Sequence, residues 1–383
     1  MKVLSTLSIP MALVATTLLP AQQTVKIGVL APLTGFAAAD GASVKNALKL
    51  AVDHINAAGG LLGKKVETVV YDDHADPKEA TALARKLIEQ DQVKAFVAGS
   101  YSMPSRAVAP LFNDENIPLV AAYATHPDVT AGGKYTYCFR NGFLGSVEGK
   151  AAGYASVKLL KGKKIAVLTS DNDFGKEMAA GFKAFMESPA GKNSTVVSYQ
   201  TYPMSEKDYK PYLSKIKSAD PDVVFSGGYY FQSGPMVKQA REMGIKAQFV
   251  GEEGADSPEF VNIAGPASEG FVIVTNLNRD DSRPIVQNFL KEYQTQFKID
   301  PDMVGASAYD AFMIICNAIK TAKSLEGPAI QKAIAGTKNY NGLTGMIRGF
   351  NKGEVVKDVQ VQVVKNGHFH YKGVVNDPAL VTP

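Results

Sequence analysis

AFVAGSYSMPSRAVAP, residues 95–110, opens on four apolar residues, Ala95-Phe96-Val97-Ala98, and then breaks at Gly99. A short apolar run closed by glycine reads as a buried strand. Small and polar residues follow, Ser100-Tyr101-Ser102, and Pro104 stands where a first helical turn tolerates proline. Residues 105–112 have helical spacing, so the stretch predicts strand, tight loop, helix. The loop ends on free backbone N–H groups at the positive end of a helix, with hydroxyls beside them. That combination suits a carboxylate or a phosphate. No glycine pattern of a phosphate loop accompanies it, which favours a carboxylate. The competing reading is that Ser102 only caps its own helix, since serine is among the commonest caps.

The same unit recurs on both sides. Upstream, VKIGVL (25–30) is a strand, and Val44, Leu48, Ala51, Val52 and Ile55 share one face of a helix over 41–58. A strand over 66–71 leads to Asp76-Pro77, a cap followed by proline at the first helical position, and a helix over 77–90. Downstream, 118–121 is a fourth strand. After Gly142 the rhythm restarts, with helices over 146–160, 174–186, 209–217 and 232–243 between strands at 164–169, 195–202, 223–225 and 248–250. A strand over 270–274 and long helices over 284–297 and 304–324 follow, and 345–371 alternates like antiparallel strands. Strands alternating with helices predict parallel sheets covered on both faces, and two such runs predict two α/β lobes. In open sheets of this kind ligands sit beyond the carboxyl ends of the strands, so a site is expected between facing lobes.

Composition agrees. At 383 residues the chain is long enough for two domains, and 45% hydrophobic with 20% charged residues is ordinary for a globular protein. The net charge of +4 is small and no basic run stands out, which argues against nucleic acid as a partner. Residues 1–21 carry one charge, Lys2, ahead of a mostly apolar run, and read as a secretory signal peptide cut after Ala21. No later stretch is long and apolar enough to span a bilayer. An exported, periplasmic protein is expected. Cys138 and Cys316 are the only cysteines; two buried thiols are expected rather than a disulfide framework.

Several segments, in order, then carry a family resemblance: KIGVLAPLTG (26–35), AVDHINAAGGLLGKKV (51–66), YDDHADPKEA (71–80), FSGGYY (225–230), GIKAQFVGEEG (244–254) and NIAG (262–265). From about residue 24 onward the chain resembles the periplasmic substrate-binding proteins of ABC transporters, type I fold, in the leucine/isoleucine/valine-binding group. The resemblance implies two Rossmann-like lobes joined by three hinge crossings near Gly142, Thr275 and Val359. Lobe 1 would comprise 24–142 plus 276–358, and lobe 2 would comprise 143–275 plus 359–383. It implies a monomer that captures an α-amino acid, branched-chain or otherwise hydrophobic, and delivers it to a membrane permease, with no cofactor, no metal and no catalysis. Carried over residue by residue, Ser102 and Thr125 would hold the ligand carboxylate. The Tyr123 carbonyl and Glu253 would hold the ammonium, with Tyr229 opposite.

The side-chain end departs from the family pattern. Asp40 stands where leucine-binding members carry an aromatic residue, Phe174 replaces a tyrosine, and Ala75 and Tyr101 replace a disulfide-forming pair. Asp40, Ala75, Ser100, Tyr101 and Phe174 are therefore the expected specificity pocket. Tyr101 and Phe174 supply apolar faces that favour an aliphatic or aromatic side chain, while Asp40 and Ser100 make the far end more polar; a neutral aliphatic amino acid is the first expectation and a broader range, including polar or aromatic side chains, the second. Asp40 has a second reading as a helix start that points away.

Other chemistries find little support. No GxSxG, GxGxxG, P-loop or HExxH pattern occurs. Asp72, Asp73, His74 and Asp76 lack the spacing of a calcium loop, and His368 with His370 lacks a third zinc ligand. The alternatives kept open are a binding protein for another small carboxylate or amide, and a soluble sensory receptor of the same fold.

Overall fold

The computed structural model describes residues 24–383, so the signal peptide expected over 1–21 lies outside the described residues. The chain opens with β1 (Val25–Ala31), α1 (Ala38–Ala57), β2 (Val66–Asp72), α2 (Pro77–Glu89), β3 (Ala95–Ala98), α3 (Ser102–Asp114), β4 (Leu119–Ala121) and β5 (Cys138–Arg140). The Asp76 carboxylate accepts the N–H groups of Lys78 and Glu79 at 2.7 and 3.0 Å, and Pro77 follows it, so α2 starts at its sequence signal. A second run comprises α4 (Gly145–Tyr154), β6 (Lys164–Ser170), α5 (Asp173–Glu187), β7 (Thr195–Tyr202), α6 (Lys210–Ala219), β8 (Val223–Gly227), α7 (Tyr230–Glu242), β9 (Gln248–Gly251), α8 (Pro258–Ala264) and β10 (Val272–Thr275). Then come α9 (Pro284–Phe297), α10 (Met303–Ala322), α11 (Gly327–Ala335), β11 (Tyr340–Gly342), β12 (Gly345–Ile347), β13 (Gly349–Asn351) and β14 (Glu354–Val356). The chain closes with β15 (Val359–Lys365), β16 (His368–Val375) and α12 (Pro378–Val381).

Two seven-stranded sheets result, ordered β13-β14-β5-β4-β3-β1-β2 and β16-β15-β10-β9-β8-β6-β7. Within each, the five strands of the alternating run are parallel and follow the same winding. The chain leaves the first sheet after Arg140, leaves the second after Thr275, returns with β13 and β14, and passes back between Val356 and Val359. The tail is not wholly antiparallel as its alternation suggested: β14 joins β5 in parallel, while β15 runs antiparallel to β10. The helix expected over 146–160 ends at Tyr154 and continues as a π-helical turn, Ala155–Leu159.

Apolar residues on both faces of the strands account for the layered core. All four residues of β3 are buried, and α10, most of whose residues are buried, packs on α1. Gly41 makes a close approach possible. A Cβ there would stand 2.2 Å from the Pro32 carbonyl oxygen, so only glycine lets the first turn of α1 rest on the loop after β1. Cys138 and Cys316 are buried free thiols.

Candidate functional site

Each sheet reverses its strand order between the first and third strands of its run, β1 and β3 in one and β6 and β8 in the other. Such switch points open a crevice at the carboxyl ends of the strands. The residues that follow those strands meet there. Asp40, Tyr101, Ser102, Tyr123 and Ala124 come from one lobe, and Phe174, Tyr229, Glu253, Gly254 and Asp256 from the other. Together with Met303 and Val304 at the start of α10 they enclose a narrow cavity of about 20 Å³. Of the side chains expected at the site, Asp40, Tyr101, Ser102, Tyr123, Phe174, Tyr229 and Glu253 line it. Thr125 sits directly behind Ser102. Ser100 is buried but does not line the cavity, and neither does Ala75. The Ser100 carbonyl accepts the Ser105 hydroxyl at 3.1 Å, and Ala75 adopts a positive φ of 56° with its N–H donated to Asp73.

Ser102 does not cap its own helix: the N-cap of α3 is Tyr101, with no side-chain cap bond. Instead the Ser102 hydroxyl accepts the Thr125 N–H at 3.1 Å, and the two hydroxyls stand 3.4 Å apart. The first N–H groups of α3 have no acceptor within the helix, so this edge of the cavity is rich in donors. Tyr123 donates its hydroxyl to the Gly99 carbonyl at 2.9 Å, which joins the loop after β4 to the loop after β3.

The opposite edge is acidic. Glu252 and Glu253 are both buried, so neither is the exposed loop acid that adjacent glutamates suggest. Their roles differ. Glu252 accepts the Gly228 N–H at 2.8 Å and the Gly254 N–H at 2.7 Å, one on each oxygen. Glu253 lines the cavity, and its Oε2 has no partner. Its backbone N–H donates to Glu148 Oε1 at 2.8 Å. Burial, then the neighbouring Glu252, holds the Glu253 carboxyl well above the usual range. Asp256 is neutralised by Arg279 and accepts the Thr275 hydroxyl at 2.6 Å.

Aromatic rings fill the space between the lobes. Tyr229 is sandwiched, with Tyr101 on one face and Phe174 on the other, each centroid 4.7 Å away. The Tyr101 hydroxyl donates to Asp40 Oδ2 at 2.6 Å, so Asp40 points into the site and is not a mere helix start. Two further contacts span the lobes: Arg106 pairs with Asp173 at 2.9 Å, and the Tyr230 hydroxyl donates to the Phe36 carbonyl at 3.3 Å.

Sequence reading missed Met303, Val304, Ala124, Gly254 and Asp256. Gly254 and Asp256 follow a predicted strand and carry that signal. Met303 and Val304 arrive from about 200 positions away from Tyr101, and no local pattern announces them. The acidic run 72–76 is structural: Asp72 accepts the Leu33 N–H at 2.9 Å and the Thr34 hydroxyl at 2.6 Å, and Asp76 caps α2. His368 and His370 pair with Asp300 and Asp280.

The buried acids set a pH dependence. Burial and Asp302 push Asp40 up to about 7; burial pushes Asp302 and Asp73 to about 6. The unfolded values lie near 4, so between about pH 4 and 7 the folded state binds more protons than the unfolded state. Stability therefore falls as pH rises through that window. Carboxylates held low, such as Asp76 and Asp222, already contribute in full above pH 4 and do not oppose it. The ligand-free protein is expected to melt at a higher temperature at pH 5 than at pH 7.5, and Asp40→Asn is expected to flatten the slope. A melting temperature that rises between those two pH values would contradict it.

Comparison with known proteins fits this geometry. The periplasmic binding protein family matches residues 24–368. The chain belongs to that family. This periplasmic binding protein is 30% identical over 335 residues to the leucine-, isoleucine-, valine-, threonine- and alanine-binding protein of Pseudomonas aeruginosa, covering 88% of each chain. It superposes on the branched-chain amino acid transporter substrate-binding protein LivJ of Streptococcus pneumoniae, in complex with isoleucine, with a TM-score of 0.85 and 29% identity over 92% of this chain and 99% of that one. It also superposes on a solute-binding protein of Rhodopseudomonas palustris in complex with 3,4-dihydroxybenzoic acid. There the TM-score is 0.81 and the identity 25%, over 91% and 95% of the chains. The two-lobed type I architecture of this binding protein is thus the fold expected of it. No helix among the described residues is long and apolar enough to cross a membrane.

Proposed function

We propose that this protein is the extracytoplasmic solute-binding component of an amino-acid ABC importer. It captures an α-amino acid between its lobes and hands it unchanged to a membrane permease. One observation carries the reading. A donor-rich edge on Ser102, with Thr125 behind it, faces an unpartnered buried oxygen of Glu253 across one cavity. Hydroxyl and N–H groups complement a carboxylate, and a buried carboxylate complements an ammonium. In this reading Ser102 and the start of α3 hold the ligand carboxylate, and Glu253 with the Tyr123 carbonyl holds the ammonium. Tyr101, Tyr229 and Phe174 flank the side chain, with Met303 and Val304 beside them. Leucine, isoleucine, valine, threonine and alanine, named for the Pseudomonas relative, are the first ligands to test.

The lining side chains are nearly all buried and the cavity has room for about one water, so an amino acid enters only if the lobes part. The ligand then bridges both lobes and shifts the population towards the closed form. Calorimetry is expected to give one site per chain, and small-angle scattering a smaller radius with ligand than without. Ligand recovered chemically altered would sink the reading.

A second reading, a small aromatic carboxylate, draws on the Tyr101–Tyr229–Phe174 stack and the dihydroxybenzoate-bound neighbour. It leaves Glu253 without a ligand cation, so indifference of binding to Glu253→Gln would favour it.

A further inference from the structure

An amino-acid headgroup makes no use of Asp40, yet Asp40 lines the same cavity. Its Oδ2 accepts the Tyr101 hydroxyl at 2.6 Å, and no cation pairs with it among the described residues. None of the residues lining the cavity is Lys, Arg or His. The charged group nearest in effect is another acid, Asp302, whose own oxygen accepts the Gly305 N–H at 2.8 Å and the Ser43 hydroxyl. Asp40 is therefore a buried carboxyl beside a like charge, satisfied by the protein through one oxygen.

An all-hydrocarbon ligand side chain closing over this carboxyl would remove its remaining access to water and return no hydrogen bond. A side chain bearing an N–H or O–H group replaces that water with a bond. Building on the amino-acid reading above, we propose that Asp40 is the specificity residue of the site and selects an α-amino acid whose side chain carries a hydrogen-bond donor. Sites built to hydrogen-bond a ligand group discriminate strongly against the isostere that lacks it.

The test uses matched pairs in calorimetry: threonine against valine, glutamine against leucine, lysine against norleucine. Each pair is measured on wild type, Asp40→Leu and Asp40→Ala, with melting curves to establish that each variant folds. In at least one pair the donor-bearing member is expected to bind wild type at least tenfold tighter, and that pair identifies the donor as hydroxyl, amide or ammonium. The preference is expected to vanish or reverse in Asp40→Leu. Asp40→Ala, which removes the carboxyl without adding bulk, decides the matter if the leucine variant does not fold. The inference is overturned if the hydrocarbon member matches its partner in every pair on wild type, or if the preference survives in the variants. Failure of every amino acid to bind, with 3,4-dihydroxybenzoate binding instead, overturns the amino-acid reading itself and this inference with it.

Discussion

Glu253→Gln is expected to weaken amino-acid binding by about 2–5 kcal/mol, the cost of removing one partner of a buried charge pair. The fold should survive the change. Glu253 Oε2 makes no bond within the protein, and the backbone N–H that reaches Glu148 remains in the variant. Glu252→Gln is expected to do the opposite. Both Glu252 oxygens accept backbone N–H groups, from Gly228 and Gly254, and a glutamine keeps only one acceptor oxygen, its NH₂ being a donor. The other N–H is left buried without a partner, a loss of about 1–3 kcal/mol of stability. Calorimetry and thermal melting on both variants separate the two effects. Equal losses of affinity from the two changes would mean that Glu253 does not hold a ligand ammonium.

The second large effect falls on Glu354. It is the counter-ion of Arg140, which is fully buried and donates through Nε to Glu354 Oε2 at 2.6 Å. The same guanidinium donates to the carbonyls of Ala124 and, at 2.6 Å, His126. Glu354→Leu strands a buried cation, and such a change costs about 3–5 kcal/mol. The loop those carbonyls belong to also carries Tyr123 and Thr125, so ligand affinity is expected to fall with stability. The urea midpoint checks the first effect and calorimetry the second. The double variant Arg140→Met with Glu354→Leu is expected to recover stability relative to Glu354→Leu alone, because no uncompensated charge remains. An unchanged urea midpoint in Glu354→Leu would contradict this account.

Much of the architecture was legible because local chemistry and fold agree here. The helix start at Asp76-Pro77 and the apolar run 95–98 announce themselves, and the bounds of β7 and α9 match their patterns. What was not legible is what tertiary context supplies. β5 has three residues and exists because β4 and β14 flank it. α8 is a seven-residue helix after a turn-rich run, too short to show a period. At the site, the loops that follow strands could be located in advance, which singled out Ser102, whereas Tyr229 and Glu253 came from the family resemblance; all three line the cavity. The direction of a side chain could not be read in advance. Nothing in the order of residues says that Asp40 turns inward to Tyr101, or that Ser100 does not line the cavity, because those directions are set by packing in three dimensions.

The interleaving of the two sheets has a consequence for the life of the chain on the ribosome. The first sheet ends on β13 and β14, and its buried ion pair joins residues 214 positions apart. The second waits for β15 and β16, which finish at Val375. Neither lobe can be completed before these late strands have been made, because each sheet lacks its edge without them. Contacts so distant in sequence form slowly, since a long loop must close before they give anything back. For a protein read as exported, that delay is useful: neither sheet reaches its full width before β16 has been made, and a lobe without its edge strands is easier to thread through a membrane channel.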